Sequence, residues 1–385
     1  MKDVAAELGV SVATVSNAYN RPDQLSPGLR ERVFETARRL GYTGPDALAR
    51  GLRRGRAGAG GILYEDRLSY AFSDPAAVLF LQGVSVATEE AGLGLLLLSG
   101  APGEERVSEA VSGAVVDGFV VYSMSERDPL VEAALGRRLP AVVVDQPRVK
   151  GVPLVGIDDQ GAAGSAAEHL LALGHRRFGV VTFCIAPGAT GGFADLNRQE
   201  AAAYPVTRAR LRGYAGAIEG EGLSWADVPV HEHFENVPEE GRKAAEALLS
   251  RDPHPTAILA ISDQLALGVI EAARERGLRV PEDLSVVGFD DVPEAARTNP
   301  PLTTVHQPHV EKGLLAGRLL VAQLQGGEAA GSPALLPTSW SCAARPRLPG
   351  RRVTGPSSAA AGRLTTLRVR GRLPSLPPPA VSGTK

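Results

Sequence analysis

Along the first forty residues, apolar positions recur three and four apart in three short bursts separated by turn signals. That period is helical. DVAAEL (3–8) favours helix, Gly9-Val10-Ser11 breaks it, and Ser11 stands where its hydroxyl can cap a second helix over 12–19 by accepting backbone N–H bonds. Arg21-Pro22-Asp23-Gln24 reads as a loop. Ser26-Pro27 predicts the start of a third helix, with Ser26 as N-cap and Pro27 at the first helical position. It runs through Leu40, Gly41 ends it, and Val33, Ala37 and Leu40 share one face. Residues 43–61 are Gly, Pro, Ala and Arg with little that could form a core, a linker with one short helix over 45–54. From Gly61 onward apolar runs alternate with amphipathic stretches. The runs predict strands at 61–64, 93–98, 118–122, 140–144, 153–157, 178–183, 256–261 and 284–288, with helices at 76–91, 160–173, 237–250 and 262–276 among them. Continuous apolar strands alternating with helices mean parallel sheets covered on both faces. About 280 residues of this pattern exceed one sheet, so the expectation is a helical head followed by two α/β lobes. A cleft between the lobes, at the carboxyl ends of the strands, is the natural place for a small ligand.

Charge separates the head from the rest. Residues 1–56 hold ten Lys/Arg against six Asp/Glu, residues 57–338 carry a net charge of −15, and residues 339–385 hold nine basic residues and no acid. A basic head on an acidic body suggests that only the head approaches a polyanion. Hydrophobic residues make up 44% of the 385 and charged residues 22%, enough for a sizeable core. No apolar run is long enough for a bilayer and the first residues hold no secretory segment. Cys184 and Cys342 stand apart without metal-ligand spacing, so neither a disulfide framework nor a metal is expected, and a reducing cytoplasm is the natural setting. Phosphate loops, dinucleotide fingerprints, nucleophile elbows and H-E-x-x-H are all missing, which argues against an enzyme and against a cofactor.

The head carries the clearest chemistry. A scaffold helix, a tight turn at Gly9 and a second helix of small residues form a helix-turn-helix whose second helix can enter a major groove. Its outer face presents Val12, Ala13, Ser16, Asn17 and Asn20, and Val15 packs inward.

The stretches DVAAELGVSVATVSNAYN, DALARGLR, HLLALGHRRFGVV, SDQLALGVIEAARERGLRVPEDLSVVGFDD and LTTVHQP occur in order over residues 1–338. On them the chain resembles the LacI family of bacterial repressors. The resemblance implies a DNA-binding head at 1–44, a hinge helix at 45–56 and a periplasmic-binding-protein-like effector and dimerisation domain at 57–338. It implies as partners a double-stranded DNA operator, a sugar or related small molecule, and a second copy of the chain. Base-reading positions correspond to Val12, Ala13 and Asn17. An Asn amide pairs bidentately with adenine, which predicts an A·T pair opposite Asn17. Ser11, Thr14, Ser16 and Asn20, with Ser26, are expected at phosphates, which position the head without reading sequence. In the hinge, Leu52 takes the place of a leucine that wedges between base steps, and Arg50, Arg53, Arg54 and Arg56 would meet phosphates or the groove. A two-fold dimer implies a near-palindromic site. In the lobes, Arg210 corresponds to the family's ligand-gripping arginine and Asp290 to a hydroxyl-accepting aspartate. Asp145 and Asp263 would line the cleft, and Tyr70 and Phe72 would stack on the ligand.

Two departures from the family stand out. Met1 leaves the first helix without a Ser/Thr cap, as though translation began a few codons upstream. After Leu336-Pro337-Thr338 the chain reads SWSCAARPRLPG, and a back-translation of it with GC-rich codons, read in another frame, encodes LVVRGSTAPPG, the ending that the resemblance leads one to expect. Residues 339–385 are therefore expected to be out-of-frame, disordered material, with the second lobe short of a strand. Two rivals stay open here: a two-lobed solute-binding transport component, and a regulator that has lost ligand response through its altered end.

Overall fold

The computed structural model describes residues 1–44, 56–100, 107–186, 191–327 and 333–341. The head is three helices, α1 (Lys2–Leu8), α2 (Val12–Asn20) and α3 (Pro27–Arg39). Val4, Ala5, Val15, Ala18, Val33 and Ala37 bury themselves between them, sealed by Tyr19 packed edge-on against Phe34 and Tyr42. Gly9, at φ 63°, supplies the left-handed turn that lets α1 and α2 meet. Ser11 caps α2 by accepting from Thr14 N at 3.0 Å, and α1 starts without a side-chain cap, both as the sequence indicates. Ser26 stands at the N-cap of α3 with Pro27 at the first helical position, as expected, although its side chain accepts no cap hydrogen bond. One expectation is corrected. Leu40 lies past the last helical residue and is largely exposed rather than on the inner face.

The first lobe follows the order β1 (Ala59–Tyr64), α4 (Leu68–Ser73), α5 (Pro75–Glu90), β2 (Gly94–Ser99), α6 (Val107–Gly113), β3 (Gly118–Tyr122), α7 (Pro129–Gly136), β4 (Ala141–Val144) and β5 (Leu154–Gly156). The second follows α8 (Asp159–Ala172), β6 (Phe178–Phe183), β7 (Gly192–Phe193), α9 (Leu196–Glu200), α10 (Pro205–Gly220), β8 (Val230–His233), α11 (Pro238–Leu249), β9 (Ala257–Ala260), α12 (Asp263–Glu275), β10 (Ser285–Asp290) and β11 (Thr303–His306). The chain then returns to the first lobe with α13 (His309–Leu324) and β12 (Ala334–Leu335), and to the second with β13 (Ser339–Ser341). The first sheet runs β12-β5-β4-β3-β1-β2, all parallel. The second runs β13-β11-β10-β9-β6-β8-β7, antiparallel only at its two edge pairs.

Both faces of each sheet are covered, which is why the central strands β1, β3, β4, β6 and β9 are built mainly of apolar residues. On one face of the first sheet Ile62, Val120, Val142 and Val144 pack on Phe80, Val84 and Leu320. On the other, Leu63, Phe119, Val121 and Val143 pack on Val111, Leu130 and Val131. Three passages join the lobes, at 156–159, 306–309 and 335–339, and the parallel strands of both lobes end at the gap between them.

The end of the chain departs from expectation. Residues 339–341, read as the start of a disordered tail, form β13, pairing Ser341 with Thr304, Trp340 with Val305 and Ser339 with His306. The second lobe therefore has its edge strand. Ladder bonds are made by backbone, so SWS can occupy an edge that LVV would also fill. Trp340 lies 5.3 Å from the His169 ring.

Candidate functional site

The head presents α2 outward. Ser11, Val12 and Ala13 are exposed and Thr14, Ser16, Asn17 and Asn20 half-buried on the side away from Val15 and Ala18. The Ser11 hydroxyl is already committed to the α2 cap and to Thr14 Oγ1 at 2.9 Å. Asn20 Nδ2 turns back to Ser16, donating to its carbonyl at 3.0 Å and its hydroxyl at 3.2 Å. Asn17 Nδ2 donates one hydrogen to Gln24 Oε1 at 3.4 Å, leaving the other and the amide oxygen for an outside partner. Arg50, Leu52, Arg53 and Arg54 lie outside the described residues. Arg56 is described, and its guanidinium donates to Leu324 O at 2.7 Å instead of standing free for a phosphate.

The second site is the cleft. Strained backbone marks it: among the described residues five non-glycine residues have positive φ, and four of them, Ser123, Asp145, Asp290 and Asp291, stand at the carboxyl ends of β3, β4 and β10. Arg210, on α10, is buried with its guanidinium 3.8 Å over the Phe289 ring. It donates from Nε to Asp159 Oδ1 at 2.9 Å and from Nη1 to Ile261 O at 2.7 Å. Lys312, from α13, is equally buried. Its Nζ donates to both oxygens of Asp145 and to Gln307 Oε1, each at 2.9 Å, which uses all three of its protons. Gln307 in turn donates to Asp290 Oδ1 at 2.6 Å.

Around these pairs the cleft is rich in carboxylate. Burial pushes Asp290 well above the ordinary range, against the pull of Arg210, with Asp263 and Asp74 adding to the rise. Asp74 caps α5 through Ala76 N at 3.3 Å, and burial pushes it up to about 6. Among the described residues no cation pairs with it. Burial, with Asp74 beside it, raises the Tyr70 phenol against the influence of Asn236 across the gap. Tyr122 stacks on Phe80 at 4.1 Å and shares the field of Asp74, Asp145 and Asp290. His309 lies 3.8 Å from Asp290, and neither ring nitrogen has a hydrogen-bond partner among the described residues. Burial holds its pKa well below the ordinary imidazole value.

The structure thus brings Tyr70, Asp145, Arg210 and Asp290 together and separates two others from them. Asp263 is a correction. It is fully buried under the cleft, accepting from Thr304 Oγ1 at 2.5 Å and Val292 N at 2.9 Å, so its oxygens hold the loop after β10. Phe72 is the other: it is 62% exposed and joins none of the cleft's ring contacts. Sequence reasoning missed Asp74, Tyr122, Asp159, Asn236, Lys312 and His309. A lysine inside the apolar run of α13 was a usable signal, since a buried ammonium needs a carboxylate.

A second network joins the lobes beside the cleft. Tyr204 Oη donates to Glu65 Oε1 at 2.7 Å, Val206 N to Gln146 Oε1 at 2.8 Å, and Arg208 pairs with Glu126 at 3.3 Å. Ser125 N also donates to Glu65, at 2.8 Å.

A helix-turn-helix head with an outward second helix, on a two-lobed domain with a polar cleft, defines a class: DNA-binding regulators with a small-molecule binding domain. The model for bacterial regulatory proteins of the lacI family matches residues 1–44, and that for a periplasmic binding protein-like domain matches 167–342. An HTH-type transcriptional regulator from Mycolicibacterium smegmatis is 46% identical over 328 residues, 83% of this chain and 89% of that protein. The crystal structure of a LacI-family transcriptional regulator from Corynebacterium glutamicum superposes with a TM-score of 0.70 at 35% identity, over 90% of this chain and 98% of that one. The CelR–cellobiose complex does so with 0.66 at 29%, over 88% and 97%. The chain belongs to the LacI family. It is a transcriptional regulator and not an enzyme. Among the described residues no helix is long and apolar enough to cross a membrane.

Proposed function

We propose that the chain is a cytoplasmic repressor of carbohydrate or related metabolic genes. Two copies bind a near-palindromic operator, and a neutral, hydroxyl-rich molecule in the cleft sets their affinity for it. The observation that carries the ligand class is the state of the charges. Arg210 and Lys312 are spent on Asp159, Asp145 and Gln307, while Asp74 stands without a cation. Such a site repels an anion and offers acceptors to hydroxyls, and Tyr70 and Tyr122 add rings for the C–H faces of a sugar. CelR, with the same fold, holds cellobiose. On the DNA side, Val12 and Ala13 would touch a thymine methyl and Asn17 an adenine, with Ser11, Thr14, Ser16, Asn20 and Ser26 toward phosphates and Arg50, Leu52 and Arg53 in the hinge.

Ligand that closes the lobes changes how two subunits present their heads, which is a coupling free energy between cleft and DNA. The test is a selection of duplexes from a random library at moderate salt, followed by titration of the winning duplex with neutral sugars and polyols and with their phosphate esters. The expected result is a palindromic winner whose affinity shifts with a neutral compound. A response confined to the phosphate esters would overturn the ligand class, and indifference to duplex sequence would overturn the operator.

A further inference from the structure

Residues 56, 57 and 58, where the body begins, are each tied down. Asp117, just before β3, accepts from Ala57 N on Oδ1 at 2.5 Å and from Gly58 N on Oδ2 at 2.7 Å. Arg56 reaches the other way, to Leu324 O at 2.7 Å. Leu324 ends α13, and the last carbonyls of a helix have no partner within it and carry the negative end of its dipole. A guanidinium there satisfies both.

The opposite end of α13 stands in the cleft. His309 opens the helix beside Asp290, and Lys312 is fixed to Asp145 and Gln307. From Lys312 to Leu324 the helix spans about 18 Å. Along its first half α13 lies on α5 at backbone contact. A Cβ on Gly83 would sit 1.9 Å from Val310 O, and one on Gly313 would sit 2.1 Å from Phe80 O. Helices so close at Gly83 and Gly313 leave little side chain between them to yield there, which resists sliding of one on the other.

We propose that α13 is a rigid rod from the cleft to the linker, and that Arg56 and Asp117 are positioning residues forming the joint at which it engages the segment leading to the head. The proposal rests on the reading that the cleft governs DNA affinity, and it names the contact through which it does so. Whatever shifts the Lys312 end moves the Leu324 carbonyl, and the joint passes that movement to the linker.

The experiment uses the full chain and the duplex it selects. Asp145→Asn, or Gln307→Met as a second route, loosens the cleft end of the rod. Asp117→Asn leaves one acceptor oxygen for two N–H groups, and Arg56→Gln frees the Leu324 carbonyl. Loosening the cleft end in the otherwise native chain is expected to change operator affinity about fivefold or more. With Asp117→Asn in place the same change should have little further effect, a non-additivity that identifies coupling. Arg56→Gln should uncouple likewise while the salt dependence of binding keeps its slope. A lost phosphate contact would lower that slope by about one. Thermal unfolding of each variant separates these effects from loss of fold. Additive effects, silence of both cleft-end variants in folded protein, or a lowered slope in Arg56→Gln would overturn the joint. If the unaltered chain selects no duplex, the DNA reading beneath it fails instead.

Discussion

Asp74 shows how one buried side chain can cost stability. Its pKa of about 6 lies above the ordinary 3.8, raised by burial, so the folded protein holds its proton more tightly than the unfolded chain. The sign follows. The stability this group contributes is fully present below about pH 4 and is lost as pH rises through 6, leaving an unpaired buried charge at neutrality. Asp74→Asn keeps a capping oxygen for α5 and removes the charge. It should raise stability at pH 7 by about 2 kcal/mol, with the gain fading below pH 5. Denaturant titrations of parent and variant at pH 4.5 and 7.5 isolate the effect from Asp263, which titrates in the same window in both. An equal gain at both pH values would show that the charge is not the cause. At the head, Asn17→Ala should lower discrimination for adenine at one half-site position about tenfold while leaving binding to random DNA unchanged. Duplex selection with the variant reads this directly.

The elements were legible where their pattern was unambiguous. All eight sequence-derived strands exist within two residues of their expected ends, because seven are largely buried parallel strands written as apolar runs and β2 is an apolar run at the sheet edge. Among the strands that escaped notice, two longer ones break that pattern. β8 reads VHEH, with Glu232 turned to Ile185 N and Arg198, and β11 reads TTVH, with Thr304 spent on Asp263. Their polar positions are satisfied by partners far along the chain, which no local window contains. The cleft was half-legible for the same reason. Arg210 and Asp290 stand in recognisable stretches, whereas the pairing of Asp145 with Lys312 spans 167 positions. Helix contacts were not legible as pairs, although each glycine is plain in the sequence. Gly83→Ala forces a methyl against Val310 O and should destabilise the first lobe by about 3 kcal/mol or prevent its folding. Gly216→Ala, where a methyl meets nothing within 4 Å, should be neutral or slightly stabilising. Parallel melts of the two variants give the comparison.

At the scale of the whole molecule, the proposed function gives the body control over where the heads can go and the hinge control over whether that placement matters for sequence. Electrostatic attraction of a basic head to phosphates works on any duplex and weakens with salt. A leucine driven between base steps works only where the sequence bends readily and where a second leucine arrives from the partner subunit. In the proposed reading Leu52 is that wedge and carries no charge, so its loss would remove the second contribution and leave the first. Leu52→Ala should therefore weaken binding to the selected palindrome by about tenfold or more, leave affinity for scrambled DNA within about twofold, and keep the salt slope of the parent. Circular-permutation mobility of the bound duplex should show a smaller bend. A matched loss on palindrome and scrambled DNA would mean that the residue merely supports the fold of the hinge, and the body's control over the heads would then have to act through spacing alone.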